Sequence, residues 1–392
     1  MDRDLTQART IARIKARAFV TAAAAIVVCA QLSCGGGSSS NSGGGGGGAP
    51  QKTFTTIDAP NAGTASEQGT FIEDINAAGD AAGFYTDSSG AYHGFIRSSA
   101  GELTIIDVPA AGSGAPGLGT TISSIDSAGD TVGYYNPQQG SSQSFLRTSD
   151  GTITTFDPPN YTGSIAAAIN DNGTIAGGIL PTNSNALGYV RAANGTFAVF
   201  NPTGLPTLLR TVMPTQINAS GATAGYYVDP LGTEHGFLLA ANGNVTILDA
   251  PGAGTSSGEG TELADINASA TIVGGVEVGV INGVATTHSL MRTADGTWTV
   301  FDPPQADGVS SFAFGINDSG AIVGTYRGTD LVRHAYLLEP DGTFVSFDEP
   351  QADQGPLTDM YVGTEPRRIN ASGAVAGYYS DVNRVRHGFL WQ

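Results

Sequence analysis

Short runs of β-branched and aromatic residues, broken by Gly, Asn and Asp, fill the chain from about residue 52 to its end. An Ile-Asn or Ile-Asp pair sets the period, at Ile75-Asn76, Ile125-Asp126, Ile169-Asn170, Ile217-Asn218, Ile266-Asn267, Ile316-Asn317 and Ile369-Asn370, with spacings of 50, 44, 48, 49, 50 and 53 residues. After each pair comes a turn such as Ala-Ser-Gly, then an apolar stretch ending in Gly and aromatics, as in Gly133-Tyr134-Tyr135, Gly225-Tyr226-Tyr227 and Gly377-Tyr378-Tyr379. A third run reads His-Gly-Phe at His93–Phe95, His235–Phe237 and His387–Phe389, and His-Ala-Tyr at His334–Tyr336. The fourth follows an Asp-Gly or Asn-Gly turn and ends in Phe-Asp-x-Pro, as at Phe156–Pro159, Phe301–Pro304 and Phe347–Pro350. Four β-prone runs separated by such turns predict a four-stranded antiparallel meander.

Repeating units of about 40–50 residues with four strands each are the mark of propeller blades. In Thr297–Phe301 apolar groups fall at both parities, so both faces of a unit are expected to need cover, which stacked neighbours supply. The last unit stops after its third run, at His387–Gln392, and the first segment, Lys52–Pro60, is an unaccompanied fourth run. A closed ring explains that pairing, because the N-terminal strand then completes the last blade and removes an exposed edge. The fold expected is all-β: a seven-bladed β-propeller of four-stranded antiparallel blades over residues 52–392.

Two further segments precede it. Basic residues at Arg13–Arg17 lead into the apolar run Ala18–Ala30, the layout of a secretory signal, and the run is shorter than the about 20 apolar residues a membrane span needs. Gln31-Leu32-Ser33-Cys34 resembles a lipoprotein signal box, which implies cleavage before Cys34 and lipidation of its thiol; Gln31 departs from the usual aliphatic residue. Residues 1–34 thus read as a signal peptide ending at the lipidated cysteine, and the Gly/Ser-rich residues 35–51 as a flexible tether. Cys29 and Cys34 are the only cysteines, so disulfide and thiolate chemistry are excluded from residues 52–392.

The units resemble the extracellular HAF repeat family, named for a His-Ala-Phe motif in exported bacterial proteins. The resemblance runs from Thr53 to Gln392, with departures at Gln143-Ser-Phe145, Leu187-Gly-Tyr189 and His288-Ser-Leu290. It implies export and a repeat fold, and no defined reaction.

Charge narrows the partners. The chain carries −18 overall, and without residues 1–34 it has 12 basic against 33 acidic groups, or −21. Such a body repels phosphate backbones, so no nucleic-acid partner is expected. His93, His235, His288, His334 and His387 hold equivalent places and would be spread around a ring, so a structural role such as a hydrogen bond across a blade is expected, and no metal. The recurring Asp of Phe-Asp-x-Pro reads as a turn cap, and the Asn of Ile-Asn as a turn residue tolerant of unusual backbone angles. No nucleophile elbow, metalloprotease helix or phosphate loop appears, and no cofactor is expected.

Variation between units falls in the loops after the second and fourth strands, at Glu277–Thr287, Thr203–Thr215 and Gln351–Pro366, which a meander places at one end. Irregular loops on a rigid scaffold are where binding commonly resides. The residue before each Ile-Asn also varies, and Asp74, Gln216, Asp265 and Arg368 are candidates to line a polar channel. The function expected is a non-catalytic binding module, monomeric and lipid-anchored at the bacterial envelope, recognising a glycan, peptide or protein. Two alternatives stand beside it: a propeller enzyme acting on a carbohydrate or lactone through Asp74 and Asp265, and a purely structural surface protein.

Overall fold

The computed structural model describes residues 52–180, 186–204, 209–281, 284–355 and 362–392. The signal segment, Cys34 and the tether lie outside them. Among the described residues all regular structure is β.

One strand, β1 (Phe54–Ile57), stands first. Four follow as an antiparallel meander: β2 (Gly69–Ile75), β3 (Ala81–Thr86), β4 (Tyr92–Arg97) and β5 (Leu103–Ile106). The order recurs as β6 (Gly119–Ile125), β7 (Thr131–Asn136), β8 (Gln143–Arg147) and β9 (Ile153–Phe156), then as β10 (Ser164–Ile169), β11 (Ile175–Ile179), β12 (Leu187–Arg191) and β13 (Phe197–Phe200). Next come β14 (Thr211–Ile217), β15 (Thr223–Val228), β16 (Glu234–Leu239) and β17 (Val245–Leu248), followed by β18 (Gly260–Ile266), β19 (Ile272–Ile281), β20 (Val284–Arg292) and β21 (Trp298–Phe301). The chain ends with β22 (Ala306–Ile316), β23 (Ile322–Gly328), β24 (Arg333–Leu338) and β25 (Phe344–Phe347), then β26 (Gly363–Ile369), β27 (Val375–Ser380) and β28 (Arg386–Trp391). This last group has three strands of its own, and β1 pairs antiparallel with β28, Phe54 opposite Trp391 and Ile57 opposite Gly388.

The third-strand motif is a packing device. Its last residue, Phe95, Phe145, Tyr189, Phe237, Leu290, Tyr336 or Phe389, is 0 % exposed in every unit. Its middle residue is small because the next unit's inner strand lies against it: a Cβ on Gly94 would stand 3.0 Å from Ile122, and one on Gly236 would stand 2.9 Å from Leu263. Where the next unit carries Tyr, the small residue is Ser. Ser144 bonds the Tyr189 hydroxyl at 3.0 Å, and Ser289 bonds that of Tyr336 at 3.0 Å. The core is therefore a series of seams between units, one of which joins the two ends of the chain: Ile57, Ile72, Tyr85 and Phe95 pack with Ala376 and Leu390.

Fourth strands depart from the sequence expectation of two covered faces. Their two middle residues are exposed throughout, as at Ile105 and Val300, because nothing packs outside them. The Glu277–Thr287 extension also differs. It prolongs the hairpin of β19 and β20, Gly279 opposite Thr286 and Ile281 opposite Val284, so it is ladder as well as loop.

Candidate functional site

The two ends of the meanders differ in construction. At one end, five-residue turns join first to second strands and third to fourth strands, as at 76–80, 218–222 and 370–374, or 98–102 and 148–152. In the first set the Asn side chain does the work. Asn370 Oδ1 accepts from Ser372 N at 3.1 Å and Ala374 N at 3.0 Å, while Nδ2 donates to Asn76 O at 3.0 Å. The same donation runs from Asn76 to Asp126 O, Asn170 to Asn218 O, Asn218 to Asn267 O, Asn267 to Asn317 O and Asn317 to Asn370 O. These Asn residues do not take positive φ, so their value lies in hydrogen bonding and not in backbone tolerance.

The histidines sit toward the opposite end and brace the outer strands. Nδ1 donates to the Asp of Phe-Asp-x-Pro: His93 to Asp107 at 3.0 Å, His288 to Asp302 at 2.8 Å, His334 to Asp348 at 2.7 Å and His387 to Asp58 at 2.7 Å. In these units that aspartate is the partner of a histidine, where the sequence suggested a turn cap; Asp157, in a unit with Gln143 in place of the histidine, accepts from Ser164 Oγ at 2.7 Å instead. Tyr85 and Tyr379 stack on their histidines at 4.8 and 5.0 Å. These hydrogen bonds hold the His334 and His387 imidazoles protonated to a higher pH than usual, against the opposing effect of burial.

The inner strands all carry a bulge just before Ile-Asn, with register shifts at Ile72/Asp74, Pro214/Gln216, Leu263/Asp265 and Pro366/Arg368 among others. A bulge re-aims side chains. Asp74 is buried; its Oδ2 accepts from Ser124 Oγ at 2.8 Å and Ile125 N at 3.0 Å in the following unit. Asp265 does the same to Ile316 N at 2.9 Å. Burial holds both carboxyls above their usual range, only partly opposed by the charge of Arg368. Arg368 Nε lies 4.0 Å from Asp74 Oδ1, and its Nη1 donates to Phe314 O at 2.9 Å. Gln216 is half-buried and accepts from its neighbour Ile217 N at 3.0 Å. Asp74, Asp265 and Arg368 therefore share one electrostatic environment, with both carboxylates spent on stitching units together; Gln216 is engaged locally.

The residues in the bulges themselves were not singled out from sequence, and they converge. Arg367 pairs with Glu73 at 3.1 Å and Glu365 at 3.2 Å, and its guanidinium lies 5.2 Å from the Phe314 ring centroid. Arg333 reaches Glu365 at 3.1 Å and the Tyr378 hydroxyl donates to Glu365 at 2.7 Å. Burial alone would weaken the hold of Arg367 on its proton, but Glu73, Tyr378 and Glu365 together raise it. The network joins residues of β2, β22, β24, β26 and β27, from Arg333 at the start of β24 to Glu73 and Arg367 two residues before their Ile-Asn turns.

The loops at the irregular end vary in length: 58–68 against 302–305 after fourth strands, and 137–142 against 329–332 after second strands. Their tips carry exposed apolar side chains, Leu231 at 74 %, Val382 at 75 %, Leu331 at 48 % and Tyr161 at 37 %. The chain enters at the other end, where Lys52 Nζ donates to Gly373 O at 2.5 Å in a tight turn.

Repeated four-stranded meanders packed face to face make this a β-propeller protein. Solved structures agree. The chain is similar to a streptogramin B lyase (TM-score 0.51, 13 % identity, 86 % of this chain and 98 % of that one) and to virginiamycin B lyase from Staphylococcus aureus (TM-score 0.52, 12 % identity, 87 % and 100 %). A prolyl endopeptidase is similar over 85 % of this chain and 50 % of its own, with TM-score 0.51 and 12 % identity. At such identities the likeness is one of fold. No family model and no curated protein sequence matches the chain.

Proposed function

We propose that this is a closed seven-bladed propeller, exported and held at the bacterial envelope by a lipid on Cys34, that binds a glycan, peptide or protein partner through its irregular end without catalysis. The closure reading rests on the β1–β28 pairing and on the Asn370-to-Asn76 link, which join the first and last units. The resemblance of the units to HAF repeats and the Ser33-Cys34 box support export and anchoring.

One observation carries the binding role: the ends are unequal. The end at which residue 52 enters is built of near-identical turns. The other presents loops of unequal length with exposed Leu231, Leu331 and Val382. A tether attached at the uniform end leaves the irregular end to face outward. The enzyme reading loses its two carboxylates, since Asp74 and Asp265 are held by main-chain N–H groups of neighbouring units.

A thermal-shift screen of the full chain against oligosaccharides, peptides and divalent metals, with a chelator control, tests the role. A ligand at about 100 times its Kd adds about 2.7 kcal/mol of stability. A saturable shift with one glycan or peptide class supports the binding module; silence from both classes overturns a small-ligand role, and a drop with chelator overturns the metal-free reading.

A further inference from the structure

Three carboxylates gather at the irregular end where β15 packs against β18. Glu234 on β16 and Glu277 on β19 are both cross-strand partners of Gly260, and Glu262 lies two residues further along β18. Neighbouring strands stand about 5 Å apart and residues i and i+2 share a face, so the three are drawn to one place. Gly260 is required there: its φ is +132°, and a Cβ would stand 1.9 Å from Glu234 O.

Among the described residues no side-chain hydrogen bond or ion pair reaches Glu234, Glu262 or Glu277. Glu259 is partly engaged, accepting from Ser256 N at 2.9 Å. A second observation points into the same place from the facing unit. Tyr226 is only 4 % exposed, its hydroxyl has no hydrogen-bond partner among the described residues, and the charges that act on it are Glu262 and Glu234. The cation whose field reaches Glu262 is Arg367, already committed to Glu73 and Glu365. Burial pushes the Glu262 carboxyl well up, Glu234 up to about 7 and Glu277 up to about 8, with Glu234 and Glu259 adding to the last. Among the described residues no three acidic or imidazole groups are spaced to hold a metal ion.

We propose that the seam between the β14–β17 and β18–β21 units binds a protonated amine, held by Glu234, Glu262 and Glu277 with the Tyr226 hydroxyl as a further acceptor. The proposal rests on the reading of the irregular end as a binding face and gives that face a ligand chemistry. The amine belongs either to a lysine side chain of a peptide or to an amino sugar. Bound cation replaces protons shared among the carboxylates, so binding releases protons and tightens as pH rises, by up to about tenfold per pH unit for each proton displaced.

Isothermal titration of the full chain with Nα-acetyl-lysine amide and with glucosamine, at pH about 6, 7.5 and 9, tests this, with Nα-acetyl-norleucine amide and N-acetylglucosamine as uncharged controls. One amine is expected to bind while its control does not, more tightly at pH 7.5 than at 6. Glu262→Gln is expected to weaken it about tenfold, and Tyr226→Phe about threefold; Glu234→Gln replaces Glu262→Gln should the latter not fold, as judged by circular dichroism. Lysine amide alone binding identifies a peptide, and glucosamine alone a glycan. No heat from either amine, or binding indifferent to these variants, overturns the amine site. If other ligands still shift the melting temperature in the screen above, the binding module survives that failure.

Discussion

Asn370 donates its side-chain amide to the main-chain oxygen of Asn76 at 3.0 Å, across 294 residues of sequence. The two residues hold the same place in the last and first units. The interaction repeats five times between consecutive units, so the device that joins neighbours also joins the ends of the chain.

The series lapses once. Asp126 accepts from Asn76 through its main chain but has no amide to pass on to Asn170. Its Oδ1 already receives Ala128 N and Asp130 N at 2.9 Å, as an Asn would. Asp126→Asn is expected to stabilise the protein by about 1 kcal/mol, the net value of one buried hydrogen bond. Urea denaturation at pH 7 would show a raised midpoint, and a lowered one would count against the link.

Ala270 occupies a place held elsewhere by Gly79, Gly221 or Gly373, and has φ of 59°. A left-handed backbone costs a residue with a Cβ about 1–2 kcal/mol, partly offset by the greater chain entropy glycine loses on folding. Ala270→Gly is expected to add about 0.5–1 kcal/mol in the same denaturation assay.

Phe389 is fully buried beside Val375 and Trp391 and meets Phe54 edge-on at 5.5 Å. Phe389→Ala is expected to cost about 3–5 kcal/mol. Because the ring holds β1 against β28, amide exchange should accelerate over residues 54–57 more than over the β14–β17 unit.

Stability should fall as pH rises from about 5 to 9. His334 and His387 hold their protons above the usual pKa through Asp348 and Asp58, so their contribution is complete below about 6.5 and is lost as pH passes the folded value. Glu234, near 7, and Glu277, near 8, act with the same sign, since the unfolded chain releases those protons near 4.3 and the folded one retains them longer. Urea midpoints across this range should decline, and Glu277→Gln should flatten the decline.

Period and turn chemistry made the strands, their order and the orphan first strand legible, because Ile-Asn, His-x-Phe and Phe-Asp-x-Pro each mark one strand or its end. The structural role of the histidines was legible for the same reason. The site was less so. Asp74, Asp265 and Arg368 stood out by varying before Ile-Asn, yet the bulge lets the residue one place earlier converge as well, and simple alternation does not reveal Glu73 meeting Arg367. Nor could sequence show that Glu234 and Glu277 meet at Gly260, since a bridge between consecutive units sets that register. Tyr189 with Ser144 is a signal that was present and readable only once the units were known to stack.

The most direct test of the account is a ligand-induced thermal shift compared between two altered ends of the full chain. One variant changes the irregular end, Leu231→Ser with Leu331→Ser and Val382→Ser; the other changes the uniform end, Ser99→Lys with Ser372→Lys. Loss of the shift in the first and its retention in the second is the predicted result. Retention in the first with loss in the second would contradict it, and would move the binding face to the end where residue 52 enters.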